Sequence, residues 1–359
     1  MAKDLAAFAV DGGQIIIGVD ENDHGPPTVR PVVLAGLKER VDQIARSAVA
    51  PPLAVRCVEL PTTEDPTRGC LIVVVPSSPA APHQAVERLW GRGDTTNYVM
   101  PPAEISALYE RRALRRADVD ALLDAEIARD PTPVDLRQLG HLFVVAQPWA
   151  ADDELFLRAL AGQNFSTWLH KTLSPTLAPS GWAPDIANAS SSCRRARGWA
   201  VHDYCISEAR AVRPNGELAA REKHLLDMEV HEDGGVRLFA GRATDIVGDA
   251  ARFMDVVVAG LVLRVVETAR TVADTTGFFG SWQFGVALTN MRGAVSHEAS
   301  MNFMANPSGF SESTYRRTCA ATYEDLTTDV VAVASLLASP LLRGFQSPFD
   351  LNSLRTHRS

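Results

Sequence analysis

The chain has 359 residues, 46% of them hydrophobic, with a formal net charge of -8, and it is long enough for two ordinary domains of about 100–200 residues each. The negative charge repels polyanions on average, so a nucleic-acid partner would need locally concentrated arginine. No run approaches the ~18 apolar residues of a membrane span, no secretion signal opens the chain, and the five cysteines form no CxxC pair. We therefore expect a cytoplasmic protein with no membrane partner, no disulfide framework and no zinc site.

The first third of the chain alternates helical and strand-like patterns. The double-glycine turn Asp11–Gly13 ends the first helix, and a polar turn joins two later strands into an antiparallel hairpin. The predicted elements are a helix over Lys3–Val10, a strand over Gln14–Val19, a helix over Leu37–Val49, strands over Leu53–Leu60 and Cys70–Val75, a loop or short strand over Trp90–Met100, and a helix over Ala103–Ala128.

The second half repeats this mixture of elements. Asp233-Gly234-Gly235 between two apolar runs is a strong hairpin signal. The predicted elements are strands over Gly140–Gln147, Leu225–Glu232, Val236–Arg242 and Trp282–Leu288, helices near Asp152–Leu160 and over Ala250–Ala273 and Tyr323–Leu342, and a loop over Pro175–Arg197.

These patterns predict an α+β protein. We expect a first mixed helix and strand domain over residues 1–130, a second α+β domain over residues 134–345, and a tail over residues 346–359. Pro131 and Pro133 mark the boundary between the two domains, because proline interrupts regular structure.

Three ordered blocks carry a family resemblance: DLAAFAVDGGQIIIGVDEN (Asp4 to Asn22), CLIVVVPSSPAAPH (Cys70 to His83) and GRGDTTNYVMPPAEISALYER (Gly91 to Arg111). Together they resemble the Schlafen AlbA_2 domain, over about the first third of the chain. The resemblance implies an α+β module associated with nucleic acid, DNA or RNA, in a regulatory or defence-related protein of bacterial type.

The chain departs from the nuclease members of that family at its start. Those members are associated with an upstream E-x-x-x-x-E-F/W-K unit and with an Asp in the IGVD segment. Of these carboxylates, only the Asp of the IGVD segment has a counterpart here, Asp20. Metal-assisted phosphodiester cleavage needs several carboxylates around a cation such as Mg²⁺. Either the chain begins after the family's first strand or this member is not a nuclease.

The strongest candidate site is a phosphate cradle in the first domain. Arginine, hydroxyl and amide donors position phosphates, and glycines allow close backbone approach. Its candidate residues are Gly12, Gly13, Gly18, Arg92, Thr95, Thr96 and Asn97, with Asp20 as a candidate metal ligand. The glycines and the RGDTTN segment also fit ordinary turns, and Asp20 also fits a solvated turn. The cradle requires that RGDTTN folds back beside the double-glycine turn.

The second half offers no such constellation. Arg194, Arg195 and Arg197 fall in the predicted loop, and His202-Asp203 and His231-Glu232 stand as isolated pairs without partners at meaningful spacing. The motifs HExxH, GxSxG, GxxxxGK[ST] and GxGxxG are missing from the sequence.

We therefore expect a nucleic-acid-binding protein that contacts phosphates through its first domain and that could form a homo-oligomer. Two alternatives stay open, a divergent metal-dependent nuclease that uses Mg²⁺ and an ATP-binding or other nucleotide-binding protein. The sequence decides neither whether the chain is an enzyme nor what the second domain binds.

Overall fold

A computed structural model describes residues 1–21, 25–78, 80–149, 151, 153–172, 191–213, 222–301 and 307–353, excluding the side chains of residues 114–118, 170 and 172. Helices hold 34% of the residues and strands 30%, in several sheets, which confirms the α+β class. Contacts divide the chain into a first unit, Met1–Arg116 with Phe279–Ser281, and a second unit, Ala117–Phe278 with Trp282–Ser359. Among the described helices, none is both long and apolar enough to cross a membrane.

The first unit packs two helices against small antiparallel sheets. Its elements are α1 Ala2–Phe8, β1 Gly13–Ile17, β2 Val19–Asp20, β3 Thr28–Val29, β4 Val32–Val33, α2 Leu37–Ser47, β5 Val49–Ala50, β6 Arg56–Pro61, β7 Arg68–Val75, β8 Gln84–Ala85, β9 Arg88–Arg92 and β10 Asn97–Val99, before the long helix α3, Pro102–Ala128. Strand β7 lies between β6 on one side and β1 and β4 on the other, and the second sheet has the order β10-β9-β8-β5.

The core of the first unit follows from alternation along β7. Leu71, Val73 and Val75 are fully or almost fully buried, because alternate side chains of a strand share one face. They form one cluster with Leu5 of α1 and Val41 of α2. Helix α1 is therefore held against the sheet by its apolar side, and its last residues lead directly into β1.

The second unit is built on a seven-stranded sheet of order β12-β13-β14-β15-β11-β18-β20, with every neighbouring pair antiparallel. Its elements are β11 His141–Pro148, α4 Leu155–Ala159, α5 Phe165–Thr172, β12 Ser191–Arg195, β13 Gly198–His202, β14 Leu226–His231, β15 Val236–Ala240, β16 Thr244–Val247, β17 Ala250–Phe253, α6 Asp255–Thr276, β18 Trp282–Thr289, β19 Val295–Ser296, α7 His297–Ser300, β20 Tyr315–Ala321, α8 Tyr323–Thr328 and α9 Val330–Gly344.

Both faces of this sheet are covered. Helices α6 and α9 pack on one face and contribute most of the largest core cluster. On the other face, Val119 and Leu123 from the second half of α3 cluster with Phe143, Val145 and Phe239 of the sheet. Burial on both faces explains why the sequence of β11 is almost continuously apolar rather than alternating.

Two predicted helices were wrong in part. The predicted helix over Ala250–Ala273 begins only at Asp255, because Ala250–Phe253 pairs with β16 as strand β17. The predicted helix over Tyr323–Leu342 is two helices, because Asp329 ends α8 and caps α9 by accepting from the Ala332 amide at 3.0 Å.

The predicted loop over Pro175–Arg197 contains strand β12 at its end, whereas residues 175–190 lie outside the described residues. The predicted tail begins with ordered chain, since Leu351 is fully buried in the main core cluster. The strand forms because Ser191–Arg195 pairs with the neighbouring β13, and Leu351 is ordered because it packs into the core.

Candidate functional site

The double-glycine corner joins α1 to β1. Gly12 adopts φ +84°, a conformation that favours glycine, and its amide donates to the Phe8 carbonyl at 2.7 Å, which ends the helix. At Gly13 an added Cβ would lie 2.3 Å from Cδ1 of the Phe8 ring. Gly12 is therefore required by the turn, and Gly13 by the ring that packs on it.

The same ring carries the predicted arginine. The guanidinium of Arg92 lies over the Phe8 ring, 4.8 Å from its centroid, and Nη1 donates to Asn97 Oδ1 at 3.0 Å. Asn97 in turn donates from Nδ2 to Asp4 Oδ1 at 2.6 Å. The structure thus brings Arg92, Asn97 and Gly13 together around Phe8, a residue that sequence reasoning treated only as part of a helical pattern.

The β9–β10 turn presents the two threonines. The Gly93 amide donates to the Thr96 carbonyl at 2.9 Å and closes the turn, while Thr95 and Thr96 are exposed. We call Arg92, Thr95, Thr96 and Asn97 the Arg92 hairpin. Its guanidinium fork and hydroxyls are donors of the kind that bind phosphate oxygens.

A second cation lies over an aromatic ring on the same strand. Trp90 is two residues from Arg92, so both side chains point to the side of β9 that faces α1. The ammonium of Lys3 lies 5.9 Å from the Trp90 ring centroid, and the indole Nε1 donates to the Ala85 carbonyl at 2.8 Å. Two cation–aromatic pairs therefore occupy one side of the hairpin.

Gly18 and Asp20 lie away from the double-glycine corner. Gly18 follows the far end of β1, about 17 Å along the strand from Gly13. Its φ is +100°, and an added Cβ would lie 3.0 Å from the Gly69 carbonyl, so protein backbone fills the space beside it. Asp20 pairs with Arg30 at 2.7 Å. The described residues contain no group of three His, Cys, Asp or Glu that could hold a metal ion, so Asp20 stays an isolated candidate.

His83 is linked to the double-glycine corner through Ser78. It is fully buried, with Nδ1 2.7 Å from the Pro51 carbonyl and Nε2 2.6 Å from Ser78 Oγ. A carbonyl only accepts, so Nδ1 carries the proton and Ser78 donates to Nε2. Burial lowers the pKa of His83 and keeps the ring neutral. The Ser78 amide donates to the Ala9 carbonyl at 2.7 Å, which ties this histidine to the end of α1.

The second unit holds a buried set of charges between α3 and the sheet, which we call the internal ion cluster. Arg129 pairs with Glu126 at 2.8 Å and with Glu229 at 2.9 Å. Arg210 pairs with Glu126 at 2.6 Å. The cluster consists of three arginines and three carboxylates, Glu126, Arg129, Arg195, Arg210, Asp227 and Glu229.

Two of the charged residues that the sequence left isolated in the second half, Arg195 and His231, have partners in the structure. Arg195 lies on β12 and pairs with Asp227 at 2.8 Å, and Nε2 of His231 lies 3.1 Å from Glu229 Oε2. Burial tends to raise the pKa of Glu229, but the hydrogen bond with His231 and the neighbouring guanidinium groups outweigh burial and lower the pKa. Because its charges balance, the cluster fixes α3 to the sheet rather than attracting a charged ligand.

His141 forms a second buried charged group in this unit. Its Nδ1 lies 2.7 Å from Asp130 Oδ2 and its Nε2 lies 2.8 Å from Glu222 Oε1, and all three side chains are fully buried. Burial alone would lower the pKa of His141, but the hydrogen bonds to the two carboxylates raise it. A His141 ring that carries both protons can donate one hydrogen bond to each of these carboxyl groups.

Comparisons of the chain with protein-family models, with curated proteins and with solved structures found no match.

Proposed function

We propose that the first unit binds nucleic acid through phosphate contacts made by the Arg92 hairpin. One observation carries the proposal: Arg92 is exposed, lies over Phe8 and is oriented by Asn97, beside two exposed threonine hydroxyls. A guanidinium fixed in this way loses less freedom when it binds an oxyanion. The resemblance of the surrounding sequence to the Schlafen AlbA_2 domain favours the same class of ligand.

The aromatic rings on this side of β9 add a second contribution. A planar guanidinium that lies over an aromatic ring can itself stack on an unpaired base. Phe8 and Trp90 are both half-buried, with Arg92 and Lys3 over them. We therefore expect single strands to bind more tightly than duplexes.

The local charge keeps the affinity modest. Asp4 contacts Asn97, and Asp94 is exposed in the turn. With a net charge of -8, long-range attraction is lacking and the contacts themselves must hold the ligand. We expect dissociation constants of about 10⁻⁴–10⁻⁶ M near physiological salt, the usual range for binding without sequence specificity.

Fluorescence anisotropy with labelled single-stranded and double-stranded DNA and RNA, over a salt series, tests the proposal. Arg92→Ala should weaken binding to all sequences and reduce the salt dependence by about one phosphate contact. Arg46→Ala is the matched control, because it removes the same charge from an exposed ion pair with Asp42 on α2. Arg92→Lys should restore part of the affinity, since lysine keeps the charge but not the planar fork.

Equal losses for Arg92→Ala and Arg46→Ala would refute the site, because net charge alone would then explain them. Binding that is insensitive to salt would refute phosphate contacts altogether. Labelled ATP with Mg²⁺ belongs in the same series. Tight ATP binding without polynucleotide binding would favour the nucleotide-binding alternative.

A further inference from the structure

Strand β20 lies at one end of the seven-stranded sheet of the second unit. It pairs with β18 over seven consecutive residues, from Tyr315 to Ala321, without a register slip. Within the described residues no strand pairs with its other side. Protein edges of this length are usually protected by lysine, proline or a bulge, and the sequence YRRTCAA contains neither lysine nor proline.

The two arginine side chains of β20 do not block the unpaired edge of the strand. Arg316 pairs with Asp124 and, at 3.7 Å, with Asp120, both on α3. Arg317 donates from Nε to the Leu336 carbonyl of α9 at 2.6 Å. Each guanidinium is therefore held against a helix of its own chain, one on either face of the sheet, and the strand edge between them is unpaired as far as the structure describes the chain.

Helix α9 extends this open edge with an uncharged surface. From Val330 to Leu342 its sequence, VVAVASLLASPLL, has no charged residue, although Ala332 and Leu336 are exposed. Leu336 is 49% exposed, and its carbonyl is the acceptor for Arg317. Exposed helix faces usually carry charges, so an uncharged exposed stripe beside an unpaired strand edge is typical of an interface.

We propose that two copies of this chain associate along β20, antiparallel about a twofold axis through Thr318. In this register all seven residues overlap, and Arg316 of one protomer lies opposite Ala320 of its partner. Arg317 likewise lies opposite Cys319. A twofold centred one residue earlier would place Arg317 opposite itself, and like charges directly opposite are destabilising. This axis is perpendicular to the sheet, so the two α9 helices lie on the same face of the joined sheet, and each protomer contributes the same surface to the interface.

Light scattering and sedimentation over a concentration series test this interface on the full chain. The unmodified chain should dimerise, and Thr318→Lys should raise the dimer dissociation constant by about tenfold or more, because it places two ammonium groups opposite each other. Ser192→Lys adds the same charge at an exposed position of β12, at the opposite end of the sheet, and should leave the constant unchanged. Circular dichroism of both variants confirms that each is folded.

A cross-linking measurement tests the register independently. Thr318→Cys, with the partly exposed natural cysteines replaced by serine, should give a covalent dimer with a short bis-maleimide, because residues directly opposite have Cβ atoms about 4.5–5.5 Å apart. Ser192→Cys in the same background should not give this covalent dimer, because β12 lies at the opposite end of the sheet. A chain that stays monomeric at every concentration, or a dimer that Thr318→Lys leaves intact, would overturn the proposal.

Discussion

Replacement of Glu229 by glutamine should destabilise the second unit more than any single surface change. Glu229 accepts from Arg129 at 2.9 Å and contacts Arg195 and His231, and its side chain is only 4% exposed. Glutamine preserves the size of the side chain but removes its charge. The internal ion cluster would then hold three guanidinium groups against two carboxylates, with the side chain of Arg210 only 4% exposed and that of Arg195 10% exposed.

The magnitude follows from that imbalance. Breaking a buried ion pair by removing one partner costs about 3–5 kcal/mol, because a buried charge loses its compensation. Typical unfolding free energies are about 5–15 kcal/mol, so the loss is a large fraction of the total. The exposed pair of Glu154 and Arg158 in the second unit is the control, and Glu154→Gln should cost only about 0.3–0.5 kcal/mol.

Urea unfolding followed by tryptophan fluorescence measures the difference. Among the tryptophans that the structure describes, only Trp90 lies in the first unit, so the signal reports mainly on the second. Circular dichroism in parallel shows whether the two units unfold together, as a single free energy of unfolding requires. A loss below about 1 kcal/mol for Glu229→Gln would refute the view that these charges are buried and mutually dependent.

The pH dependence gives a second check on the same residue. The pKa of Glu229 is lowered in the folded chain, so its contribution is fully present above the ordinary value of 4.5 and is lost as pH falls below it. The stability gap between the unmodified chain and Glu229→Gln should therefore shrink on acidification below about pH 4.5. A gap that stayed constant down to acid unfolding would contradict the ionised state of this carboxylate.

Three further predictions concern other residues of the two units. Gly13→Ala should destabilise the first unit by about 1–3 kcal/mol and weaken polynucleotide binding, because the new methyl group displaces the Phe8 ring; chemical unfolding and anisotropy measure the two effects. His83→Gln should reduce the loss of stability between pH 7 and 5, since the lowered pKa of His83 makes folding weaker as pH falls below 6.5. His141→Gln should remove a stabilisation that is present below pH 6.5 and lost as pH rises through the raised pKa of His141, visible in thermal unfolding from pH 6 to 9.

Sequence periodicity predicted correctly the elements that are separated from their neighbours by a turn. The helix over Lys3–Val10, the β6–β7 hairpin and the β14–β15 hairpin were all confirmed, each with a turn signal beside it. The errors fell where two elements of similar composition follow each other. Ala250–Phe253 and α6 form one apolar run, so no pattern marks the change from strand to helix at Asp255.

Only the part of the candidate site that is marked by local sequence signals could be predicted. The glycine pair and RGDTTN are local signals, and they could be found from sequence. Phe8 could not, because a phenylalanine at helical spacing fits a core position as well as a platform for Arg92. His83 acquires its partners from Pro51 and Ser78, and the first of these lies 32 residues away.

Alternation of polar and apolar residues along a strand does not decide whether the polar face is exposed to water, and the arginines show this most clearly. In β14, Asp227, Glu229 and His231 alternate with apolar residues, a pattern that predicts a strand with one polar face toward water. The polar face is instead covered by α3, and the partner of Glu229 is Arg129, 100 residues earlier. A charged residue on such a face is available to a ligand only if no distant element covers it. Arg195 does not meet this condition, because it is paired within the internal ion cluster. Arg92 meets it, because it stays exposed over Phe8.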